Sequence, residues 1–481
     1  MPTLEQAMPE TRVPRPRLFE IERQTIAPIP EGERHGRPRE LTAIWFGMNM
    51  TPLTVVTGAL ATTLFGLSLP WALVAVVVGN VVGGIGMALH AAQGPTMGIP
   101  QMIQARGQFG LRGSALIVLV ALVMFVGFFA SNLVVAGDAL VAVDNRIDPG
   151  GVTWVAAVAS LLIALCGYRL VRWVTGVSAY LVGVPLVLCM CVLAVNGSGD
   201  IVWDRGGFST AGFFSMLAVG AVWQLAYAPY VSDYSRYLPA DSGGRGAFWG
   251  TYLGCVSSTV LLFALGAVLG LAATGDDVMG AFADLLGPLG KVVLVAFAIA
   301  AITGNSVNAY CSMLCALTLG ENARPGWIPG VRARVVTTIA LHAIGVYIAL
   351  GASADFLANY YNFVSLLLYV LIPWSAINLV DYYLVHHGSY VISDFYRRDG
   401  GRYGLWNGRA LLVYAVALVA QVPFMVTSLY TGPLAEALGY TDVAWLVGFL
   451  VAGAVYLPLA RRGSPVARTA QTAVPLPAEA G

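Results

Sequence analysis

The sequence predicts an all-α, polytopic membrane protein with twelve transmembrane helices, and three observations support this fold class. The chain has 481 residues, of which 58% are hydrophobic and only 11% are charged, whereas soluble domains carry about 25% charged residues. Apolar segments long enough to cross about 30 Å of hydrocarbon recur along the chain. The positively charged residues also collect on one side of the membrane when these segments are threaded through it.

The apolar segments define the predicted spans. Each is bounded by polar or charged residues, by glycine or by proline, and the fourth is the shortest. The predicted limits are 41–66, 69–91, 113–143, 151–167, 174–195, 211–230, 247–273, 288–319, 335–351, 355–385, 408–430 and 441–460.

The charge distribution tests this threading. With both termini in the cytoplasm, only Arg146, Arg205 and Lys291 fall outside the segments assigned to the cytoplasmic face. This is the positive-inside pattern, which a wrong number of spans would scramble. We therefore expect a multi-pass protein of the cytoplasmic (inner or plasma) membrane. The outer loops hold acidic residues instead: Asp144, Asp148, Asp200, Asp204, Asp276 and Asp277.

The domain organisation follows from the same threading. Residues 1–40 are predicted to form a cytoplasmic N-terminal tail and 461–481 a cytoplasmic C-terminal tail. Residues 41–385 are predicted to form the membrane core with spans 1–10, and 386–460 a loop with spans 11 and 12. The net charge is only +1 and the basic residues follow the membrane face, so we expect the lipid bilayer as a partner and no nucleic acid. No obligate protein partner is evident from the sequence.

Two spans carry prolines that indicate broken helices. Pro52 interrupts span 1 and Pro229 interrupts span 6, and proline removes a helical hydrogen bond. Either proline alone is explained by a simple kink. Their corresponding positions in spans 1–5 and 6–10 instead favour two repeats of five helices, a pattern in which broken helices form the binding site of secondary transporters.

The polar groups deep in the spans are mostly amides and hydroxyls, and the deepest ionisable residue, His342, is explained by packing or hydrogen bonding. Phe128 and Asn132 are four residues apart and therefore share a helix face. Interhelical hydrogen bonding explains a single buried asparagine, and packing explains a single phenylalanine. Aromatic rings together with amides suit a flat, neutral heterocycle with donors and acceptors on its edge. The deep polar residues are Asn49, Asn132, Gln224, Thr303, Asn305 and Asn308, and Trp223 precedes the span-6 break.

Other functional classes fit the sequence less well. An enzyme would need a nucleophile–base or metal constellation, and none is found, so we predict that the protein is not an enzyme and has no cofactor. A carrier of amino acids or amines with the same fold would need charged partners at the helix breaks. A membrane receptor would not require paired helix breaks. These two alternatives remain open.

Four stretches resemble one known family, the nucleobase–cation symporters, in their purine–cytosine permease branch. The resemblance covers nearly all of residues 27–460, and the combination of stretches is specific although each alone is weaker. The stretches are "APIPEGERHGRPRELTAIWFGMNM" (27–50), "MGIPQMIQARGQFGLRGS" (97–114), "VWQLAYAPYVSDYSRYLP" (222–239) and "ITGNSVNAYCSML" (302–314).

The resemblance implies a twelve-span, LeuT-type fold with a five-plus-five inverted repeat and two additional C-terminal helices. It implies import of cytosine, a purine or a related flat heterocycle, such as a hydantoin, allantoin, uracil or a vitamin-like compound, together with a cation. Phe128 falls where the family often has a stacking tryptophan, and Asn132 at the amide position of span 3. Trp223 and Gln224 match the stacking region of span 6, and Asn305 matches the span-8 amide that reads the base edge.

The resemblance also implies a cation site between spans 1 and 8. Thr303 keeps a hydroxyl, but Gly304 has none where sodium-coupled members have a second. Both H⁺ and Na⁺ are therefore candidate coupling ions, and the missing oxygen shifts the prediction slightly toward H⁺. The matching positions are Gly47, Met50, Ala300, Thr303 and Gly304.

Overall fold

The computed structural model describes residues 26–196, 203, 205–275, 277–324, 327, 329–351 and 356–461. Most of the predicted N-terminal tail and nearly all of the predicted C-terminal tail lie outside the described residues. The described part of the chain is helical throughout its apolar regions, without any strand longer than an isolated bridge. The all-α membrane fold is therefore confirmed.

The α-helices follow the predicted spans closely, with additional short helices in the loops. Their bounds are α1 Pro38–Met48, α2 Pro52–Thr63, α3 Leu69–Ala91, α4 Gly94–Met97, α5 Gln101–Phe109, α6 Ala115–Val141, α7 Pro149–Cys166, α8 Tyr168–Asn196, α9 Thr210–Leu225, α10 Val231–Ser235, α11 Gly243–Ala272, α12 Val278–Ala323, α13 Val331–Gly351, α14 Phe356–Val380, α15 Gly408–Gln421, α16 Pro433–Ala437 and α17 Ala444–Arg461. Short 3₁₀ turns occupy Glu31–Glu33, Ala240–Ser242, Ile392–Tyr396, Gly401–Tyr403 and Val422–Phe424, and a π-helical turn, Asp381–Val385, extends α14.

The number of spans agrees with the prediction only in part. Within the described residues, 9 helices are long and apolar enough to cross a membrane, or 10 if the bent pair α1 and α2 is one span. Two shorter apolar helices, Thr210–Leu225 and Gly408–Phe424, occupy predicted spans 6 and 11. Every predicted span thus has a helix, but a count of twelve crossings stays a prediction.

The break in span 1 lies between α1 and α2, whose axes differ by 64°. Helix α1 ends at Met48, Thr51 is extended, and Pro52 is the first residue of α2. Proline is favoured at this position because the first helical N–H has no intrahelical partner to lose. The break therefore leaves residues 49–51 outside regular helix in the interior of the protein.

The break in span 6 lies between α9 and α10. Helix α9 ends at Leu225, and a non-helical turn that contains Pro229 precedes Val231. Because proline lacks an N–H and clashes with the preceding turn, the helix cannot continue through this residue without distortion. Span 6 is thus two helices, as the corresponding positions of the two prolines predicted.

Predicted span 8 agrees with the main helix of α12, whereas predicted span 11 requires correction. Helix α12 begins before predicted span 8, but Gly287 has a positive φ of 53° and separates a short leading helix from the main one, which starts at Pro288. Helix α15 is shorter than predicted span 11, because Pro423 ends it in a 3₁₀ turn and Met425 is extended. The prediction extends span 11 to residue 430 because the segment is largely apolar, and composition alone does not show where the backbone turns.

The helices around the cavity pack in two groups, and α14, α15 and α17 pack with one another. The broken-helix group contains α1, α2, α3, α9 and α11, and the scaffold group contains α6, α7, α8, α12 and α13. Within the broken-helix group, Gly58 lies against the backbone of Phe263, and Gly83 against the backbone of Ala221, so closely that a Cβ atom would overlap them. Small residues allow such close approach of membrane helices. The space between the two groups holds the main cavity.

Candidate substrate site

A cavity lies between the span-1 break, the end of α9, α6 and α12. Both helix breaks contribute to its wall, as expected for a transporter site. Its lining residues are Met48, Thr51, Leu53, Met124, Phe125, Phe128, Asn132, Trp223, Ala226, Tyr227, Tyr230, Gly304, Val307 and Asn308.

Aromatic rings from both helix groups form much of the wall. The ring of Phe128 on α6 meets the indole of Trp223 edge to face, with centroids 6.1 Å apart. Tyr227 lies near-perpendicular to Trp223 at 6.4 Å, and Phe125 meets Tyr230 at 5.0 Å. The faces of such rings can stack on a planar ligand. Phe128 and Trp223, predicted from the sequence as stacking residues, thus lie on the cavity wall.

Asn132 brings an unsatisfied polar atom to this wall. It lies one helical turn after Phe128, is 6% exposed, and its Oδ1 atom has no hydrogen-bond partner among the described residues. Buried polar atoms are rarely unpaired, because desolvation without a partner is costly. Asn308 lines the cavity from α12 opposite, and donates from Nδ2 to Oδ1 of Asn305 at 3.4 Å. The cavity therefore presents amide groups that a ligand edge can satisfy.

Asn305 does not reach the cavity, although it was predicted to read the base edge. Its side chain is fully buried, and Nδ2 donates to the backbone carbonyl of Phe129 on α6 at 3.1 Å. Its Oδ1 accepts from Asn308. Asn305 therefore fastens α12 to α6 and supports Asn308, which takes the place at the wall.

Asn49 also lies behind the wall. Its Oδ1 accepts from Nε1 of Trp223 at 2.8 Å and from the hydroxyl of Tyr227 at 2.6 Å. Its Nδ2 donates to Oγ of Ser258 at 2.9 Å and to the carbonyl of Trp45 at 3.2 Å. These bonds use the amide fully, so the predicted direct contact between Asn49 and a ligand is absent from this arrangement.

Gln224 points away from the cavity, toward α3. It is fully buried, and its Nε2 donates to Oδ1 of Asn80 at 2.9 Å. Trp223 and Gln224 are consecutive on a helix and so point in directions about 100° apart. Of the two residues predicted for the span-6 stacking region, the structure places only Trp223 at the wall.

The residues of the predicted cation site are partly engaged with one another. The carbonyl of Gly47 accepts from the N–H of Met50 at 3.1 Å. On α12, Oγ1 of Thr303 lies 2.9 Å from the carbonyl of Ala300 and 3.0 Å from Oγ of Ser178 on α8. The prediction did not include Ser178, which adds a hydroxyl from a third helix.

Gly304 brings α12 against the span-1 break. It lines the cavity, and a Cβ atom at this position would lie 3.5 Å from Cγ2 of Thr51, with no other neighbour within 4 Å. That separation is an ordinary van der Waals contact. The position therefore has room for a small side chain, which glycine does not have.

Several lining residues were missed by the sequence reasoning. Tyr227 lies four residues after Trp223, and this spacing could have placed the two on one helix face. Thr51 lies in the span-1 break itself, and Tyr230 follows Pro229 directly. Because the chain leaves the helix between Ala226 and Tyr230, helical spacing does not predict where Tyr230 points.

Comparison with known proteins places this site in context. The family model described as "Permease for cytosine/purines, uracil, thiamine, allantoin" matches residues 28–448. YxlA of Bacillus subtilis (strain 168), which carries the name of a purine-cytosine permease, is 34% identical over 455 residues, or 92% of this chain and 96% of its own. Purine-cytosine permease fcyB of Emericella nidulans is 24% identical over 91% of this chain and 88% of its own.

A solved structure agrees in fold. Mhp1, a nucleobase-cation-symport-1 family transporter in a closed conformation with bromovinylhydantoin bound, superposes with a TM-score of 0.73. The alignment covers 92% of this chain and 96% of Mhp1 at 19% identity, so it shows the fold alone. With the family model spanning almost the whole described chain, this multi-pass membrane protein belongs to the family of permeases for cytosine/purines, uracil, thiamine and allantoin.

Proposed function

We propose that this permease imports a nucleobase, namely cytosine, a purine or a related flat heterocycle, together with a cation. The observation that carries the proposal is the cavity itself. Aromatic rings of Phe128 and Trp223 adjoin the unpaired amide oxygen of Asn132 at the meeting point of two broken helices. Stacking faces and an amide edge complement a planar heterocycle with ring N–H groups.

Transport would proceed by alternating access around this site. In support, the hydrogen bonds near the cavity run mostly within the two helix groups. Asn49 and Asn80 tie helices of the broken-helix group together, and Asn305 and Thr303 tie helices of the scaffold group together. Relative motion of the groups would open the cavity to one side of the membrane and then to the other.

The proposed coupling ion is H⁺, because Gly304 supplies no hydroxyl to the predicted cation site. Sodium is the second candidate, and one observation favours it. Oγ of Ser178 lies 3.0 Å from Oγ1 of Thr303, and hydroxyl and carbonyl oxygens are the ligands that hard cations such as Na⁺ prefer. Ser178 could therefore replace the oxygen that Gly304 lacks.

The proposed topology places both termini in the cytoplasm and the protein in the cytoplasmic membrane. The support is the positive-inside distribution of the basic residues. The proposed division into tails, a core of residues 41–385 and a C-terminal part of residues 386–460 has the same basis. Partners follow from the function: a nucleobase, a cation and the bilayer.

The direct test of substrate class uses the purified protein. Its thermal unfolding in detergent is measured with cytosine, hypoxanthine, uracil, allantoin, a hydantoin and leucine, each with and without sodium. A ligand that binds only the folded state raises the melting temperature by mass action. We expect cytosine or hypoxanthine to give the largest rise in melting temperature. We also expect proteoliposomes that contain the protein to take up the same base in radiolabelled form. A rise only with leucine would support the amino-acid alternative.

A further inference from the structure

Asn49 is the point at which the span-1 break meets two side chains of the cavity wall. We propose that Asn49 is a positioning residue, which holds the indole of Trp223 and the phenol of Tyr227 in a fixed relative orientation and thereby sets which bases the cavity accepts. The proposal rests on the proposed nucleobase transport and deepens it. It assigns selectivity to a residue that does not line the cavity.

The amide of Asn49 has no capacity left for a ligand. One carboxamide offers two N–H donors and an oxygen with two lone pairs. Both lone pairs are used, at 2.8 Å by Nε1 of Trp223 and at 2.6 Å by the hydroxyl of Tyr227. The donors reach Ser258 at 2.9 Å and Trp45 at 3.2 Å, and the residue is fully buried. Any effect on substrate must therefore pass through its neighbours.

The two neighbours held by Asn49 are wall residues with near-perpendicular rings. Trp223 and Tyr227 both line the cavity, with an interplanar angle of 84° and centroids 6.4 Å apart. Each ring has only two side-chain torsions, and a hydrogen bond at its polar end fixes the second. One shared acceptor therefore fixes both rings, and with them the shape of this corner of the cavity.

The orientation of Asn49 is itself fixed from the other side. Ser258 lies on α11, and its hydroxyl also bonds to the carbonyl of Gly254 at 2.8 Å. If the amide were flipped, its NH₂ group would face the Nε1–H donor of Trp223, and its oxygen would face the carbonyl oxygen of Trp45. The bonding pattern therefore selects one orientation. The acceptor is thus pre-positioned before a substrate arrives.

Rings set at an angle discriminate by shape. A one-ring pyrimidine and a two-ring purine differ in length, so the tilt of Trp223 and Tyr227 affects them unequally. When the shared acceptor is lost, both rings gain torsional freedom and the shape restriction is relaxed. We therefore expect loss of Asn49 to change the ratio of the affinities for two bases, beyond any general loss of stability.

Asn80 provides a matched control. It is also a fully buried asparagine of the broken-helix group, and its Oδ1 accepts from Gln224, the residue next to Trp223. Gln224 does not line the cavity. Replacement of Asn80 by alanine therefore removes a similar interhelical bond to α9 without releasing a wall residue.

The test measures binding of cytosine and of hypoxanthine to detergent-purified full-length variants, with melting temperature recorded for each. Asn49→Ala should change the cytosine-to-hypoxanthine affinity ratio by roughly three- to tenfold, the effect of about one net hydrogen bond. Asn80→Ala should lower the melting temperature and leave the ratio unchanged.

A second comparison excludes a merely structural role. In a protein carrying Trp223→Phe and Tyr227→Phe, both donors to Asn49 are absent, so Asn49→Ala should cause no further change in the ratio. A further change there, or an unchanged ratio in Asn49→Ala alone, would overturn the positioning role. If Asn49→Ala does not fold, the same decision is made with Tyr227→Phe, which should alter the ratio. Absence of base binding by the wild-type protein would instead refute the proposed function.

Discussion

The ring of Phe128 on α6 meets the indole of Trp223 on α9 edge to face, at 6.1 Å and an interplanar angle of 78°. The two side chains come from different helix groups, so their contact bridges the space between the groups. Phe128 also meets Phe363 on α14 at 5.5 Å. A planar ligand can stack on either ring, but the angle between the rings prevents it from lying flat against both at once.

Phe128→Ala should weaken base binding about five- to a hundredfold, because a stacking face worth roughly 1–3 kcal/mol is lost. Phe128→Trp should retain binding, since the face survives, and can shift the preference between purines and pyrimidines. Both are checked by binding titrations on detergent-purified variants of matched melting temperature. Wild-type affinity in the alanine variant would show that Phe128 only packs against Trp223 and Phe363.

Asn132→Leu should weaken base binding several-fold to about tenfold, because edge hydrogen bonds contribute about 0.5–1.5 kcal/mol each. The melting temperature without ligand should stay the same or rise, because Oδ1 of Asn132 has no described partner to lose. Asn305→Leu is the control: it loses the bond to the carbonyl of Phe129 and should melt at a lower temperature. If Asn132→Leu destabilises the protein as much as Asn305→Leu does, Asn132 has a structural partner.

Gly304→Ser should increase the sodium dependence of uptake, because it restores a hydroxyl at a position with room for one. The wild-type protein should follow the pH gradient and tolerate replacement of sodium by choline. Gly304→Ala fills the same space without an oxygen and should behave as the wild type. The measurement is proteoliposome uptake in sodium and in choline at constant pH. Strict sodium dependence of uptake by the wild type would show that the coupling ion is Na⁺ and not H⁺, and it would support a role for Ser178 in the cation site.

Arg106 on α5 and Glu321 near the end of α12 form a buried ion pair, with Nη2 and Oε2 2.7 Å apart. Nη1 of Arg106 also donates to the carbonyl of Phe395 at 2.9 Å. Glu321→Gln should destabilise the protein by about 3–5 kcal/mol, because it leaves a buried guanidinium without its counter-charge. Thermal unfolding in detergent checks this, with the exposed pair Arg397–Asp399 as the control: Asp399→Asn should change the melting temperature little.

The sequence was sufficient for features that local chemistry determines. The lengths of the apolar segments and the positions of the charged residues predicted the spans, and each predicted span contains a helix. Pro52 and Pro229 marked the two helix breaks. Phe128, Asn132, Trp223 and Asn308, predicted to bind substrate, all line one cavity, and their contact with a substrate stays a prediction. Phe128 and Asn132 share a helix face and Trp223 precedes a helix break, and both properties follow from spacing along the chain.

The remaining features depend on contacts between distant segments. Asn49 and Asn305 are polar and deep, as predicted, but partners 174 and 176 residues away decide that they face other helices and not the cavity. Span 11 ends early for a local reason, because Pro423 ends α15 in a 3₁₀ turn and Val426 then pairs with Thr431 in an isolated antiparallel bridge. Hydrophobicity predicts which segments lie in the membrane region, but it does not predict the direction of the backbone.

The direct backbone contacts at Gly58 and Gly83 have a consequence for how this transporter tolerates change. A single added methyl group would meet main chain of a neighbouring helix at either position, and a whole helix would have to shift to admit it. Side chains at the cavity wall have no such constraint, because empty space adjoins them. Substitutions of cavity-lining residues can therefore accumulate while the helix contacts stay fixed. A change of substrate then needs few substitutions and no rearrangement of the packed helices.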